Sequence, residues 1–315
     1  MAAITKIIDF MTSFKFEKLI EECGNIQKAE RLAYIDFMLI YLGAINRSDL
    51  KDFFGIAEAA ASKAITEYKN LRANNVEYNR VLRANSLLRD TFEPLLSVDS
   101  EVALGMLANG FNKSKLTENR LISYRRVGNS CTKVSTSDVS KVTRAIHGQY
   151  AIECVYASAN SNNHKTRILF PSAIFNDGVS WRFRAYDRNK VSEKSGYKCF
   201  NFSRLDKVKE RIKDLPKTSE SHEKDKDWHE VVPVHLSLHP SLNNNQKFAL
   251  RKDFGLVDNK NDFIQTEKAA LVYFLIETWK VDTSKNPSKN NIFNFYLENS
   301  DYLAQFNSIK NIIKK

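Results

Sequence analysis

The sequence predicts an α+β protein of several domains, and three patterns along the chain predict it. Apolar residues recur at three- and four-residue spacing through residues 28–71, which is typical of helices. The spacing changes to two over residues 76–84 and again over residues 150–205, which indicates strands. Strand and helix patterns then alternate between residues 231 and 279. With 315 residues, the chain is long enough for two or three domains of ordinary size.

The composition is that of a folded protein, because 43% of the residues are hydrophobic and 27% are charged. The longest apolar stretch, residues 32–45, is interrupted by Asp36 and is shorter than the roughly 20 residues that cross a bilayer. Asp9 breaks the apolar run near the N-terminus, which argues against a secretory signal. We therefore expect a cytoplasmic protein that makes no use of a membrane.

The four cysteines and six histidines show no spacing typical of a metal or redox site. The sequence has no CxxC or HExxH motif, no P-loop, no GxSxG and no carboxylates paired at an arranged spacing. It therefore predicts no metal, no cofactor and no enzymatic activity. The cysteines, which we expect to be thiols in a reducing compartment, are Cys23, Cys131, Cys154 and Cys199.

Two helices separated by a short turn are predicted near the N-terminus. A broad apolar helical pattern over residues 28–45 ends near Gly43, and a short helix follows with Ser48 as its expected N-cap. Gly55 permits the tight turn into a further helix at residues 58–71. This arrangement fits a helix-turn-helix, whose second helix enters the major groove of DNA.

The outer faces of these two helices carry small, hydroxyl and basic side chains. Small residues let the backbone of a helix approach the bases, and lysines bind phosphates or base edges. The DNA contacts predicted on the two helices are Arg47, Ser48, Ala59, Ser62, Lys63, Thr66 and Lys69.

Residues 76–84 predict a small β-hairpin with its tip near Asn79 and Arg80. A helix-turn-helix followed by a hairpin is typical of a winged helix, so Arg80 and Arg83 are candidates for phosphate or minor-groove contacts. Spacing alone leaves an ordinary helical hairpin that binds no DNA as the alternative. Residues 1–97 carry 13 basic and 13 acidic residues, which counts against DNA binding, although only one face needs to be basic.

Residues 98–145 predict a linker that contains helices, and residues 150–205 predict four strands of a small β-barrel or curved sheet. In the third of these strands, Arg182 and Arg184 share the face opposite Trp181. Two neighbouring arginines repel each other, so solvent or a bound anion has to accommodate them.

The positive charge of the chain is concentrated in its middle. Residues 144–213 hold 14 basic and 6 acidic residues, which is +8 of the net charge of +11. A polyanionic ligand would find its cations there, and arginine suits phosphate because the guanidinium donates two parallel hydrogen bonds.

The C-terminal third predicts an α+β unit. Residues 214–230 are polar and charged, which indicates a linker, and residues 231–238 then alternate as a strand. We expect a helix to begin at Pro240, a short strand to form over residues 262–265, and a strongly apolar helix to form over residues 269–279. The order of strand, helix, strand and helix is that of an α+β fold.

Five short motifs follow one another within residues 28–282. They are Asn46-Arg47-Ser48-Asp49-Leu50 with Phe54-Gly55-Ile56, Val155-Tyr156-x-Ser158, Arg167-x-x-x-Pro171, Trp181-Arg182-Phe183-Arg184-Ala185-Tyr186, and Phe200-x-Phe202-Ser203-Arg204-Leu205. The tail adds Trp228, Leu236-x-Leu238-His239-Pro240, Gln246, Asp253-x-Gly255 and Val281-Asp282. Together they resemble WYL-domain transcription regulators, and most of all the BrxR/CapW-like bacterial regulators encoded with phage-defence systems such as BREX. The Trp-Tyr-Leu of the family name reads Trp181-Arg182-Phe183 here, and Ser172 replaces a histidine often found after the strand proline.

The resemblance implies a winged helix-turn-helix, a central Sm/SH3-like β-barrel known as the WYL domain, and a C-terminal α+β extension domain. The implied division is residues 1–97 for DNA binding, 98–136 for a helical linker, 137–213 for the ligand-sensing WYL domain and 228–315 for dimerisation. It also implies a homodimer on a palindromic double-stranded operator, with an anionic nucleotide or oligonucleotide as effector. Carried over by position, the effector residues are Tyr156, Ser158, Arg167, Arg184 and Arg204, and the strand pattern adds Arg182.

The sequence thus predicts a dimeric, ligand-responsive transcriptional regulator, more specifically a repressor, that reads its operator with residues 58–71. An anion bound near Arg167, Arg184 and Arg204 would favour one geometry of the dimer over another and so change the half-site spacing. Two other classes stay open. One is an enzyme that processes nucleic acid with the barrel as its single-strand platform, and the other is a non-regulatory adaptor whose winged helix contacts protein.

Overall fold

A computed structural model of the chain describes residues 15–117, 122, 134–159, 166–188, 196–257, 260–289, 292–310 and 313. The chain forms two compact units. The first comprises residues 1–166 and 202–214, and the second comprises residues 167–201 and 215–315.

Helices and a small sheet make up the N-terminal part of the first unit. The elements are α1 (Phe16–Cys23), α2 (Ile26–Leu42), β1 (Ala44–Ile45), α3 (Arg47–Phe54), α4 (Glu58–Leu71), β2 (Val76–Asn79) and β3 (Ala84–Leu87). β3 lies between β1 and β2 and is antiparallel to both. The bounds of α4 are those that the apolar spacing predicts. The hairpin exists as well, but its second strand starts at Ala84, so the tip comprises residues 80–83.

The predicted N-cap of α3 is wrong. The helix begins at Arg47, and Asn46 precedes it with extended backbone angles. The backbone N–H of Asn46 donates to Oδ2 of Asp49 at 2.6 Å, so the acidic residue three positions on satisfies this end of the helix. Ser48 lies inside the first turn and is exposed.

One apolar core joins α1 to α4 and continues past the hairpin. Leu19, Leu32, Leu39 and Leu50 are fully buried in it, because each lies on the inward face of its helix. A helix α5 (Ser100–Asn109) follows, and Phe111 and others beyond the hairpin pack against the same core. These residues therefore contribute to the packing of the N-terminal fold.

The rest of the first unit consists of α6 (Thr136–Gly148), β4 (Ala151–Tyr156) and β8 (Leu205–Arg211). β4 and β8 are antiparallel, with a bulge between Glu153 and Val155. The fourth of the strands expected within residues 150–205 is a single strand over residues 198–205, and this expectation is wrong. The chain leaves β7 at Asn201, makes a single 3₁₀ turn over Phe202–Arg204 and enters β8, so a short helical turn separates two strands.

The second unit begins with three consecutive antiparallel strands, β5 (Thr166–Asn176), β6 (Trp181–Asp187) and β7 (Tyr197–Asn201). Trp181, Phe183 and Ala185 are buried on one face of β6, as the alternation predicts. Within the described ranges the strands do not close into a barrel, so the predicted Sm/SH3-like barrel is not confirmed. The mixed α+β character of the chain is confirmed.

The C-terminal part of the second unit is a sheet flanked by helices. Its elements are α7 (Lys226–His229), β9 (Val231–Leu238), α8 (Asn244–Asp253), β10 (Asp262–Lys268), α9 (Val272–Trp279), β11 (Val281–Asp282), β12 (Phe295–Leu297) and α10 (Ser300–Leu303). The strand order is β10-β9-β12-β11. α8 starts later than predicted, because Asn243 and Gln246 form a capping box after Pro240 has only turned the chain.

Residues 214–230, which the sequence predicts to be a linker, contain buried acidic residues. This segment makes short 3₁₀ turns at Thr218–Glu220 and His222–Lys224, and it buries the carboxylates of Glu220 and Asp225. The partners of these acids lie far away in the sequence, because they are Arg184 of β6 and Arg188, which directly follows that strand.

Candidate nucleic-acid interface

α4 has one buried face and one exposed face, and the exposed face carries the residues proposed to read DNA. Ala61, Ala64, Ile65 and Tyr68 are at most 7% exposed and hold the helix against the core. Ala59, Lys63 and Thr66 are exposed on the other side, and Ser62 and Lys69 are half-buried. The periodicity of the sequence dictates this split, since positions three and four apart share a face of a helix. Contact with DNA stays a prediction.

The hydroxyl of Thr66 has a local acceptor. It donates to the backbone carbonyl of Ser62 at 3.1 Å, one turn back along α4. This bond fixes the side chain of Thr66, so its methyl group is held at a defined position on the exposed surface.

An exposed ion pair joins the starts of the two helices. Nη1 of Arg47 lies 3.0 Å from Oε1 of Glu58, with side chains 58% and 68% exposed. Exposed pairs of this kind contribute about 0–1 kcal/mol, so Arg47 can exchange Glu58 for a phosphate at little cost. Gly55 has φ +63°, in the left-handed region that permits the turn between α3 and α4.

The tip of the β2–β3 hairpin, residues 80–83, is a closed and fixed turn. Oδ1 of Asn79 accepts hydrogen bonds from the backbone N–H groups of Val81 at 2.9 Å and Leu82 at 3.0 Å. Arg83 has φ +51°, which turns the chain back into β3. Arg80 and Arg83 are both exposed.

A buried carboxylate that sequence reasoning did not identify fixes α4 in place. Oδ1 of Asp36 in α2 accepts the hydroxyl of Tyr68 at 2.6 Å, and Oδ2 accepts the backbone N–H groups of Leu95 at 2.9 Å and Leu96 at 3.1 Å. Asp36 is 1% exposed, and this burial raises the pKa of its carboxyl to about 6. In the sequence it interrupts an apolar run, and such an interruption is the one signal that could have marked it.

A second polar network links the N-terminal helices to β8 within the first unit. Glu210 accepts hydrogen bonds from Nε and Nη2 of Arg144 at 3.0 and 2.8 Å, and from Nε of Arg89 at 3.3 Å. Nη1 of Arg144 donates to the carbonyl of Ile40 near the end of α2 at 2.7 Å. Burial alone would raise the pKa of Glu210, but the hydrogen bond and charge of Arg144 outweigh it and hold that pKa below its usual range.

The arginines predicted to bind an effector in the second unit have carboxylate partners of their own. Arg184 makes a two-point pair with Asp225, at 2.7 Å from Nε to Oδ2 and 2.9 Å from Nη2 to Oδ1, and the two side chains are 3% and 1% exposed. Arg182 pairs with Asp177. The inference that solvent or a bound anion accommodates these two neighbouring guanidiniums is therefore corrected, because internal carboxylates do so.

Arg167 also has a carboxylate partner. Its Nη1 lies 2.7 Å from Oδ2 of the fully buried Asp187, and Nζ of Lys198 lies 3.6 Å from the same atom. Arg188 in turn makes a two-point pair with Glu220 at 3.0 and 2.9 Å. In this part of the second unit, each of these arginines is thus paired with an acidic residue.

The remaining effector candidates lie together in the first unit. Tyr156 ends β4 and is 7% exposed, and Ser158 follows it half-buried. Between them, the N–H of Ala157 donates to the carbonyl of Arg204 at 3.0 Å, so Arg204 lies beside the end of β4. Its side chain is exposed, whereas those of Arg167, Arg182 and Arg184 are largely covered.

Metal and membrane features are limited to what the described part of the chain shows. Within it, no three or more His, Cys, Asp or Glu side chains are grouped so that they could hold a metal ion. None of its helices is both long enough and apolar enough to span a membrane.

Two family models match the chain, one near each end. Residues 27–107 match the winged helix-turn-helix domain of the BrxR transcriptional regulator, and residues 231–303 match the C-terminal dimerization domain of the same regulator. The chain therefore combines a winged helix-turn-helix domain with a dimerization domain. Both are domains of BrxR, which confirms the predicted resemblance to the BrxR/CapW-like regulators.

Curated relatives agree with these matches. The DNA-binding transcriptional repressor CapW of Escherichia coli (strain KTE188) is 28% identical over 264 residues, which are 81% of this chain and 84% of that protein. CapW of Pseudomonas aeruginosa is 29% identical over 261 residues, 78% of this chain and 81% of the relative. Among solved structures, the proteasome accessory factor B/C (PafBC) of Arthrobacter aurescens is 11% identical with a TM-score of 0.25. That alignment covers 87% of this chain but only 46% of that chain.

Proposed function

We propose that the protein is a homodimeric, sequence-specific DNA-binding transcriptional repressor of a phage-defence operon, acting in the cytoplasm. The observation that carries the proposal is the pair of BrxR domains at the two ends of the chain, together with the exposed face of α4. The CapW relatives are named DNA-binding transcriptional repressors, which favours this function over an enzyme or an adaptor.

A dimer of such chains presents two α4 helices related by a two-fold axis. The operator is then palindromic, with half-sites about one helical turn or a multiple of it apart. In this proposal Lys63, Ser62, Thr66 and Ala59 face the major groove. Arg47, Ser48 and Lys69 bind the flanking phosphates. Arg80 and Arg83, in the hairpin, bind phosphates or the minor groove.

Fluorescence anisotropy against the DNA upstream of the protein's own gene tests the proposal. We expect tight binding to that duplex and much weaker binding to a scrambled duplex of equal length and composition, measured at several salt concentrations. Lys63→Ala weakens operator binding through the lost groove contact, and Lys69→Ala flattens the dependence of log K on log salt by about 0.9, because Lys69 neutralises a phosphate in this proposal. Lys285→Ala, an exposed lysine of the second unit, is the matched control. Equal affinity of the unmodified protein for both duplexes would refute the proposal that it is a sequence-specific repressor.

Light scattering tests the dimer. Two copies of the 36.2 kDa chain give about 72 kDa. A monomer that binds a single half-site with full affinity would contradict the palindromic operator. In cells, deletion of the gene should raise transcription of the neighbouring operon, and a fall would mean activation instead of repression.

We further propose that an anionic nucleotide or oligonucleotide releases the repressor from its operator. Arg204 is its principal contact, because its side chain is exposed and its backbone lies beside the end of β4, next to Tyr156 and Ser158. The roles of Arg167, Arg182 and Arg184 are to hold the strands in place through Asp187, Asp177 and Asp225. A coupling of about 1–3 kcal/mol between effector and operator would change operator affinity roughly 5- to 150-fold.

Calorimetric titration with a short single-stranded oligonucleotide and with nucleoside mono- and diphosphates tests the effector. We expect Arg204→Ala to weaken binding of the probe that releases the operator, while Lys209→Ala, an exposed cation further along β8, leaves it unchanged. If the two variants bind the probe equally well, Arg204 is not part of the effector site.

A further inference from the structure

The tip of the β2–β3 hairpin exposes two aliphatic side chains to solvent. Val81 is 91% exposed and Leu82 is 63% exposed, and Tyr78, which lies in β2 before the tip, is 55% exposed. Turns of hairpins usually carry polar residues such as Asn, Asp and Gly. An apolar pair at this position therefore suggests a surface that becomes covered by a partner.

The apolar pair is held in a fixed arrangement. The side chain of Asn79 accepts the N–H groups of both Val81 and Leu82, and Arg83 takes a positive φ that returns the chain to β3. β2 and β3 pair through four successive residues on each side, from Val76 with Leu87 to Asn79 with Ala84. A tip ordered in this way loses little conformational freedom on binding, which favours affinity.

The charges on either side of the pair indicate the chemistry of its partner. Arg80 precedes the pair and Arg83 follows it, and both are exposed. The tip thus has a cation at each end and two aliphatic groups between them. Its complement is a narrow groove with anionic walls and base steps between which an aliphatic group can insert, which describes the minor groove of duplex DNA.

We propose that Val81 and Leu82 form a wedge that enters the minor groove of the operator and partly opens one base step, while Arg80 and Arg83 bind the phosphates on both sides. The inference rests on the proposed function and adds a means of selecting sequence. Pyrimidine–purine steps open and bend most readily, so a wedge favours operators that place such a step under the hairpin. The wedge thereby contributes specificity at a base pair that no polar side chain contacts.

The double variant Val81→Ser/Leu82→Ser tests the wedge while keeping Asn79 and both arginines. The two side chains are exposed in the free protein, so the variant folds, and circular dichroism melting verifies this. We expect about a 10-fold or larger loss of operator affinity from the apolar surface that no longer becomes buried. The salt dependence should not change, because serine and the aliphatic residues neutralise no phosphate. Arg80→Ala, by contrast, should make operator affinity less dependent on salt, because it removes a phosphate contact.

A fluorescent base analogue reports the base step directly. Operator duplexes carry 2-aminopurine at successive positions under the hairpin, and donor and acceptor dyes at the duplex ends report bending. The unmodified protein should brighten 2-aminopurine at one step and shorten the end-to-end distance, and the double variant should do neither. Val179→Ser, at an aliphatic residue that is 75% exposed in the second unit, is the matched control and should behave as the unmodified protein.

Three outcomes would overturn the wedge. The first is that the double variant binds the operator as tightly as the unmodified protein. The second is that 2-aminopurine does not brighten in the complex with the unmodified protein. The third is that the two serine substitutions weaken binding to phosphatidylglycerol vesicles but leave operator affinity unchanged. Each is distinguishable from failure of the proposed function, because in all three the unmodified protein still prefers its operator to the scrambled duplex. Loss of that preference would refute both together.

Discussion

The buried pair of Arg184 and Asp225 predicts a large loss of stability when one partner is removed. The two side chains are 3% and 1% exposed and make two hydrogen bonds to each other. Burial alone would lower the pKa of Arg184, but the hydrogen bond with Asp225 outweighs it and keeps the pKa above its usual value. The guanidinium therefore cannot escape the cost of burial by losing its proton. Removing one member of such a pair costs about 3–5 kcal/mol.

Urea unfolding followed by tryptophan fluorescence measures this loss. All three tryptophans, Trp181, Trp228 and Trp279, lie in the second unit, so the signal reports the unit that contains the pair. Asp225→Ala should lower the free energy of unfolding by about 3–5 kcal/mol. The double variant Arg184→Met/Asp225→Leu should lose much less than the sum of the two single variants, since no unpaired charge is left behind.

Arg47→Ala is the matched control, because it breaks an exposed pair and should cost under about 1 kcal/mol. If Asp225→Ala also cost under about 1 kcal/mol, the account of Arg184 as a structural residue would be wrong. The same conclusion would follow if Arg184→Met left stability unchanged but abolished release of the operator by the effector. Arg184 would then be an effector residue, as the resemblance implies.

Two further predictions concern buried acids of the first unit, followed by circular dichroism because that unit contains no tryptophan. Asp36 has a raised pKa of about 6 against a usual 3.8, so the folded state binds its proton more tightly than the unfolded chain. The contribution of Asp36 to stability should rise by up to about 3 kcal/mol as the pH falls from 7 to 4, so the difference in stability between the unmodified protein and Asp36→Asn should grow over this range. Glu210 has a lowered pKa, so its contribution is present above its usual pKa and is lost as acid protonates it. Glu210→Gln should cost about 2–4 kcal/mol at pH 7 by leaving Arg144 short of a charge, and a cost within error of zero would contradict the network.

The elements that sequence reasoning placed well depend on local spacing. α4 and β9 have the predicted bounds, because a 3.6-residue period and a two-residue period are properties of consecutive residues. The exposed face of α4 follows from the same spacing. The same holds for the buried face of β6 with Trp181.

What the sequence could not supply are pairings between distant residues. Asp225 lies 41 positions from Arg184, and Leu95 lies 59 positions from Asp36. No local pattern distinguishes an acid that pairs inside the fold from one that faces water, so residues 214–230 read as a linker. The placement of β8 was missed for a related reason, since the 3₁₀ turn over Phe202–Arg204 interrupts a run in which Phe200 and Phe202 are spaced as in a single strand.

The zero net charge of residues 1–97, which counted against DNA binding, is compatible with it once the partners of the acids are known. Asp36 is buried, Asp49 caps α3, and Glu58 lies in the exposed pair with Arg47. On the exposed face of α4 and at the hairpin tip, cations such as Lys63 and Arg80 are exposed, whereas several acids are held elsewhere by the fold. Net charge governs the long-range attraction that is common to all DNA sequences. A neutral domain with a few exposed cations therefore binds random DNA weakly, and its affinity for an operator has to come from groove contacts, which is the condition under which a repressor discriminates well.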